Sequence, residues 1–352
     1  MDVMNPPTHS HVNSKTLYRW QRTSLERHLH ALVPQWDKRR LEITTEVLGA
    51  NASFVNYVRH HRLLDPCTGQ PVEIVEKSIR KMAFIGSQEA RFHRATGMLV
   101  GSTHFQYPAC LGVIETPWES LIFTEFVCGK PPRMHAISKQ LAYGIAELET
   151  LSHDYLQSQP LAKAPLYWSM DFFRPWFLLR PRFNFVRCLP ALEELGIQDE
   201  RFGGLAERFK AFVPLTQKMA AKARHSPRCI SHMDYLRKNL FVDQGQLHLI
   251  DWSEVKVGRL GFDGGAYLGS LFRRKEMKVF LAAQAEFIDT YRTALPGRFN
   301  IEQALENLRY VFLLTALFHC LRPETIGEYR DRDRMALLRE KYAYLLGLIE
   351  GL

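Results

Sequence analysis

No apolar run in this chain is long enough to cross a bilayer. The longest, Tyr310 to Leu321, carries Thr315 and His319 and falls far short of the roughly 20 residues a spanning helix needs. The first fourteen residues have no charged stretch followed by an apolar one, so a secretory signal is not expected. Cysteine is sparse, with six residues scattered at Cys67, Cys110, Cys128, Cys188, Cys229 and Cys320. No CxxC pair or metal-ligand spacing occurs among them, which excludes a disulfide scaffold or zinc module. They read as reduced, mostly buried thiols of a cytoplasmic protein. Internal repeats and low-complexity tracts are also lacking.

What is present is the balance of an ordinary soluble protein. Apolar residues make up 46% of 352 and charged residues 24%, which rules out a disordered, collagen-like or fibrous chain and suffices for two lobes. Forty-six Lys and Arg stand against 37 Asp and Glu, a net charge of +9. That excess attracts nucleic acid, anionic lipid or phosphorylated ligands without choosing among them. Nucleic acid is the less favoured of these partners, and the oligomeric state is not legible.

The pattern divides the chain into three parts. Residues 1–40 read as a disordered first dozen followed by an amphipathic helix from about Ser14 to Arg39. Residues 41–128 begin with short β-branched and aromatic runs at 41–49, 54–64 and 72–79, parted by turn residues at 50–53 and 65–69. A helix follows at 87–96 with Ser87 as its N-cap, then strands at 109–114 and 120–127. After the break at Gly129 to Pro132, residues 129–352 are helical at 137–156, 203–224, 276–295, 301–321 and 331–350. A strand-rich block from Cys229 to Val257 interrupts them. The expected class is α+β: a small antiparallel sheet with one helix, then a larger mainly helical lobe.

The block from Cys229 to Val242 carries the chemistry. His232, Asp234 and Asn239 have the spacing H-x-D-x-x-x-x-N between apolar flanks, and a second short strand ends at Asp251. Phosphoryl transfer needs such a set: a carboxylate to orient and deprotonate a hydroxyl, and an amide with a second carboxylate to hold magnesium. A hairpin between the two elements brings positions 234, 239 and 251 to one edge.

These motifs resemble the aminoglycoside phosphotransferase and choline kinase-like family, relatives of the protein kinases, over roughly residues 41 to 275. HMDYLRKN is similar to the family's catalytic loop, LIDWSEV to its metal-binding segment, and Gly261-Phe262-Asp263 to the GFD of choline kinases. The resemblance implies a bilobal kinase-like fold that uses ATP and Mg2+. It makes Asp234 the catalytic base, Asn239 and Asp251 the metal ligands, and Asp263 the brace of the catalytic loop. His232 belongs to that loop as a structural member rather than a proton acceptor. Lys77, ending the third strand, would reach the nucleotide's phosphates, with Glu89 on the next helix as its partner. Backbone groups near Glu125 and Val127 would meet adenine, and amides of Asn51 to Ser53 would cradle phosphate oxygens. Two departures stand out: the turn Gly49 to Ser53 has one glycine where protein kinases have several, and Arg237-Lys238 replaces small or proline residues. That pair is placed equally well to meet an anion or to face solvent.

Between hinge and catalytic loop, Asp171 to Arg187 interleaves arginines with aromatics, a pattern suited to packing on the helical lobe or to stacking bases. Residues 264–352, on the acceptor side, hold 11 acidic and 13 basic residues, which argues against a polycationic antibiotic as substrate. The expected activity is transfer of the γ-phosphate of ATP to a hydroxyl of a small molecule. The alternatives are a kinase of protein, lipid or another large anionic substrate, and a non-catalytic nucleotide-binding scaffold.

Overall fold

The computed structural model describes residues 19–52, 54–81, 87–95, 99, 101–158 and 185–351. The extreme N-terminus, Ser53 and most of the Arg/aromatic insert lie outside the described residues. The chain divides into two compact units, one of residues 1–96 and 107–128, the other of 97–106 and 129–352.

The first unit begins with α1 (Arg19–Leu32), which precedes the hairpin strands β1 (Thr44–Ala52), β2 (Val55–Leu64) and β3 (Pro71–Arg80). The β2–β3 turn is locked by Asp65, whose Oδ1 accepts from the N–H groups of Cys67 (2.7 Å) and Thr68 (3.1 Å), with Gly69 at φ 71°. Helix α2 (Gln88–Arg94) follows; the two-residue β4 (Phe105–Gln106) belongs to the other unit; β5 (Cys110–Glu115) and β6 (Glu119–Glu125) complete an antiparallel sheet ordered β1-β2-β3-β6-β5.

Alternation along β3 sorts its side chains onto two faces. Ile74 joins Leu25, Leu29, Trp36, Leu121 and Phe123 in one core. Ile79 packs with Ala90 of α2 and Ile122 in another. Lys77 has the parity of Ile79, which sends it to the α2 face, and Glu76 goes to the opposite one.

The second unit is mainly helical: α3 (Ser138–Ser158), α4 (Phe185–Gln198), α5 (Leu205–Lys210), α6 (Phe212–Arg224), α7 (Phe262–Arg274), α8 (Met277–Ala294), α9 (Ile301–Cys320), α10 (Pro323–Asp331) and α11 (Met335–Glu350). Four short strands interrupt them: β7 (Arg228–Ser231), β8 (Leu240–Asp243), β9 (Gln246–Leu249) and β10 (Lys256–Arg259). β7 pairs with β10, and β9 lies between β8 and a parallel β4. The continuous helix expected over 203–224 is two helices. Pro214 has no N–H to offer the carbonyl one turn back, so the break falls just upstream of it. The segment expected at 331–350 starts later, at Met335, after the separate α10.

Packing of α7 on α9 is close enough to demand glycine. A Cβ on Gly261 would come within 2.0 Å of the Ala304 carbonyl oxygen, and one on Gly265 within 2.5 Å of that of Leu308. Among the described residues no single helix is long and apolar enough to cross a membrane. All six cysteines are free. Cys188, Cys229 and Cys320 are buried, but Cys67 and Cys128 are exposed, so "mostly buried" holds for only half of them.

Candidate active site

In the sheet unit, Lys77 Nζ lies 2.7 Å from Glu89 Oε2, with side chains 13% and 4% exposed. Two local features make this contact. The β3 register points Lys77 at α2, and Ser87 fixes the start of α2 by accepting from the Ala90 N–H at 2.9 Å. Nearby His93 is held down to about 4, by burial first and then by the Lys77 charge, so it is neutral near pH 7.

Glu125 closes β6. Its N–H donates to the Ala109 carbonyl at 2.9 Å, so a contact with adenine there would fall on its own carbonyl. The next N–H, of Phe126, donates to Glu73 at 3.0 Å. Val127 follows in irregular chain.

In the helical unit, β7 delivers the chain to a loop over residues 232–239, and the β8–β9 hairpin returns it to Asp251. Gln244 and Gly245, with φ 46° and 82°, form the two-residue turn. Ile250 N–H donates to the Asn239 carbonyl at 3.0 Å, which ties the two ends of the hairpin together.

His232 is fully buried and both ring nitrogens are occupied. Nε2 donates to the Ile250 carbonyl (3.0 Å), and Nδ1 accepts the Asp234 N–H (3.2 Å). A carbonyl can only accept and an N–H can only donate, so the ring is held as one neutral tautomer. It carries loop geometry and has no lone pair to offer a substrate.

Asn239, 2% exposed, donates from Nδ2 to the Asp234 backbone carbonyl (2.9 Å) and to Asp234 Oδ2 (2.8 Å). Its Oδ1 is thereby turned outward as an acceptor. Lys238 does not simply face solvent. Its Nζ lies 4.0 Å from Asp234 Oδ2 and 3.8 Å from Asp251 Oδ2, a cation between the two carboxylates.

Asp263, at the start of α7, is fully buried. It accepts from the N–H groups of His232 (3.0 Å) and Met233 (2.9 Å) and from the Tyr235 hydroxyl (3.0 Å). Met233 has φ 66°, and these bonds offset the cost of that left-handed backbone. Burial raises Asp263 to about 6 against the pull of these donors.

Behind it lies Glu149 of α3, also fully buried, accepting from Gly261 N–H (2.9 Å) and the Tyr291 hydroxyl (2.5 Å). Burial, then the charge of Asp263, pushes Glu149 well above the usual carboxylate range.

Sequence reasoning passed over Glu149 and Tyr235. The signal for Glu149 was available: it shares a helical stripe with Leu141, Ile145, Leu148 and Ser152, all buried, where an acid is out of place.

The donors fit the expected metal. Asp251 offers a carboxylate and Asn239 an amide oxygen, the hard oxygens Mg2+ requires. Among the described residues no group of three or more His, Cys, Asp or Glu could hold a metal by itself.

A model of the phosphotransferase enzyme family matches residues 125–299. No curated protein sequence matches. Among solved structures, the chain is similar to a choline kinase from Cryptosporidium parvum Iowa II (13% identity, TM-score 0.53, covering 94% of this chain and 96% of that one). It is also similar to an amicoumacin kinase in complex with AMP-PNP, Ca2+ and Ami (10% identity, TM-score 0.53, covering 93% and 96%). At these identities the likeness is one of fold. Motifs, fold and family match agree: residues 125–299 are similar to the phosphotransferase enzyme family, and the fold is similar to that of the kinases above.

Proposed function

We propose that the chain transfers the γ-phosphate of ATP to a hydroxyl of a small molecule. The observation that carries this is the Asp234 carboxylate, held by Asn239 at 2.8 Å in a loop braced from behind by Asp263. Asp234 accepts the proton of the acceptor hydroxyl as its oxygen forms a bond to phosphorus and the bond to the ADP oxygen breaks. A bound Mg2+, held by Asn239 Oδ1 and Asp251, would supply charge neutralisation on the phosphates. Lys77, kept straight by Glu89, grips the nucleotide, and backbone groups at Glu125 and Val127 receive adenine. His232 and Asp263 position the loop. Amides near Ser53 would add to the phosphate grip.

The acceptor class follows from charge. With 11 acidic and 13 basic residues over 264–352, a neutral or anionic hydroxyl compound suits the chain better than a polycation. The test is to incubate the protein with ATP, Mg2+ and a pool of hydroxyl metabolites and follow new phosphomonoesters by mass spectrometry. Labelling of protein or lipid alone would overturn the small-molecule reading. Absence of Mg2+-dependent ATP binding would leave a scaffold.

Lys238 is this chain's own variation on the family's loop. Its ammonium neutralises the two carboxylates that the metal needs, and being 65% exposed it is free to turn toward an incoming phosphate. Lys238→Gln should therefore tighten Mn2+ binding in the absence of nucleotide by up to about fivefold, on the scale of an exposed ion pair of up to about 1 kcal/mol. Titration calorimetry with Mn2+ alone reads this, and an unchanged affinity would remove Lys238 from the site.

A further inference from the structure

Far from the catalytic loop, the helical unit gathers arginine around a single hollow. Arg273 and Arg274 come from the end of α7, and Arg332 and Arg334 from the turn between α10 and α11. Tyr329, Thr325 and one carboxylate, Glu328, complete a cavity of about 220 Å³. Arg273 and Arg274 stand at the far end of α7 from Asp263, and at about 1.5 Å per residue that is roughly 15 Å along the helix.

Two of the lining residues, Arg273 and Tyr329, are held in place by a buried lysine. Lys341 is fully buried and donates to the carbonyls of Phe272 (2.6 Å) and Arg273 (3.0 Å) and to the Tyr329 hydroxyl (2.6 Å). These three bonds tie α7, α10 and α11 together and engage the ammonium with dipoles, with no carboxylate among the three acceptors. Arg334 is fixed by Glu276 and lies over the Tyr329 ring at 5.8 Å. Arg273, Arg274 and Arg332 make no ion pair among the described residues.

The field of this cluster is felt by its neighbours. Buried His319 is held down to about 4, by burial and then by Arg273, Arg322 and Arg274. Lys341 is lowered to about 8, chiefly by burial. Arginines at a helix C-terminus complement its dipole, which accounts for Arg273 and Arg274. It does not account for Arg332 and Arg334, which converge from another element.

We infer that this hollow is a binding site for a compact phosphate dianion, distinct from the catalytic loop. Guanidinium forks match phosphate oxygens in pairs and hold them more strongly than a neutral donor does. The volume is below the roughly 300–1,000 Å³ of pockets for drug-sized ligands, which selects a small anionic group over a bulky one. Inorganic phosphate and the phosphoryl group of a phosphorylated metabolite share this chemistry. The inference stands whether or not the chain is a kinase, because none of the residues belongs to the proposed active site.

The experiment measures binding of inorganic phosphate, and separately of glycerol phosphate, to the full chain by calorimetry, with chloride matched for ionic strength. Arg273→Gln/Arg332→Gln should weaken phosphate at least tenfold while ATP binding is kept. Lys77→Ala should leave phosphate binding at this hollow intact. Tighter glycerol phosphate than phosphate would identify a phosphorylated metabolite as the ligand, and equal affinity the free anion. Because Arg273 is partly packed, the exposed Arg274→Gln is measured alongside and should weaken phosphate severalfold. Phosphate binding no stronger than chloride, or unchanged in both arginine variants, would overturn the site. So would binding only to anionic lipid vesicles or nucleic acid, which would mark the arginines as a surface for polymers.

Discussion

Two buried glutamates, one in each unit, have their acidities shifted in opposite directions. Glu76 of the sheet is 2% exposed, and burial alone would push its carboxyl up. The hydrogen bond and charge of His61 at 3.1 Å, with Arg59 and Tyr57, bring it below the usual range instead. Glu149 of the helical unit is fully buried among dipoles beside a second acid and goes well above it. Burial pushes both carboxyls up; the groups around Glu76 outweigh that push, whereas Glu149 has a second acid beside it. At Glu76, and again at Lys77–Glu89, the sheet unit sets a buried carboxylate against a cation. At Glu149 and Asp263 the helical unit sets one against N–H and O–H groups, to shape backbone. The first arrangement suits gripping a charged ligand, the second suits holding a loop.

That division can be broken most sharply at the loop. Asp234→Asn keeps shape but removes the carboxylate proposed as the base, so kcat should fall about 10²- to 10⁴-fold with ATP affinity nearly unchanged. Turnover at the wild-type rate would remove Asp234 from the chemistry.

Next in size is the brace. Asp263→Ala leaves three donors without their acceptor, each costing about 1–3 kcal/mol when buried, against which the relief of a desolvated acid counts. A net loss near 3 kcal/mol is expected, seen as a lower midpoint in urea unfolding. A midpoint unchanged from wild type would show that the loop holds itself.

The sheet unit should answer in affinity. Lys77→Ala and Glu89→Ala should each weaken ATP binding, the double variant should be little worse than Lys77→Ala, and the coupling should fall within about 0.5–3 kcal/mol. Zero coupling in the cycle would reduce the pair to two independent surface charges.

The smallest effect is with pH, and it has opposite signs in the two units. Asp263 and Glu149 have raised folded values, so their contribution is fully present below the unfolded carboxylate range and is lost as pH rises through about 6 for Asp263. Glu76 is depressed, so its contribution is present above the ordinary value of 4.5 and is lost as pH falls below it. Taking the protein from pH 7 to 5 should strengthen protection of α3 and α7, and going below 4.5 should weaken β2 and β3. Hydrogen-exchange protection, corrected for intrinsic rates, reads both, and a shift of the same sign in both units would contradict the comparison.

Much of this was legible in the chain. β-branched runs and turn residues marked the sheet, Ser87 marked the start of α2, and the spacing of His232, Asp234 and Asn239 with Asp251 marked the loop and hairpin. Helix periodicity overran Pro214, because a repeat of apolar residues says nothing about a missing N–H. Glu149 escaped because its partners, Gly261 and Tyr291, are 112 and 142 residues away along the chain. The direction taken by Lys238 escaped for a similar reason. An exposed lysine has many rotamers, and only the folded positions of Asp234 and Asp251 select one.

The left-handed backbone of Asp251, at φ 64°, narrows what this position can become. Asparagine, aspartate and glycine adopt that conformation at little cost, and most other residues do not. Glutamate would keep the charge but strain the turn; asparagine would keep the turn but lose the charge. In a saturation library the site should therefore separate cleanly, with Asn and Gly folded but inactive and Glu impaired in both respects. A lineage that abandons catalysis would leave through asparagine or glycine, and those two residues are the mark to look for in descendants that have kept the fold for another use.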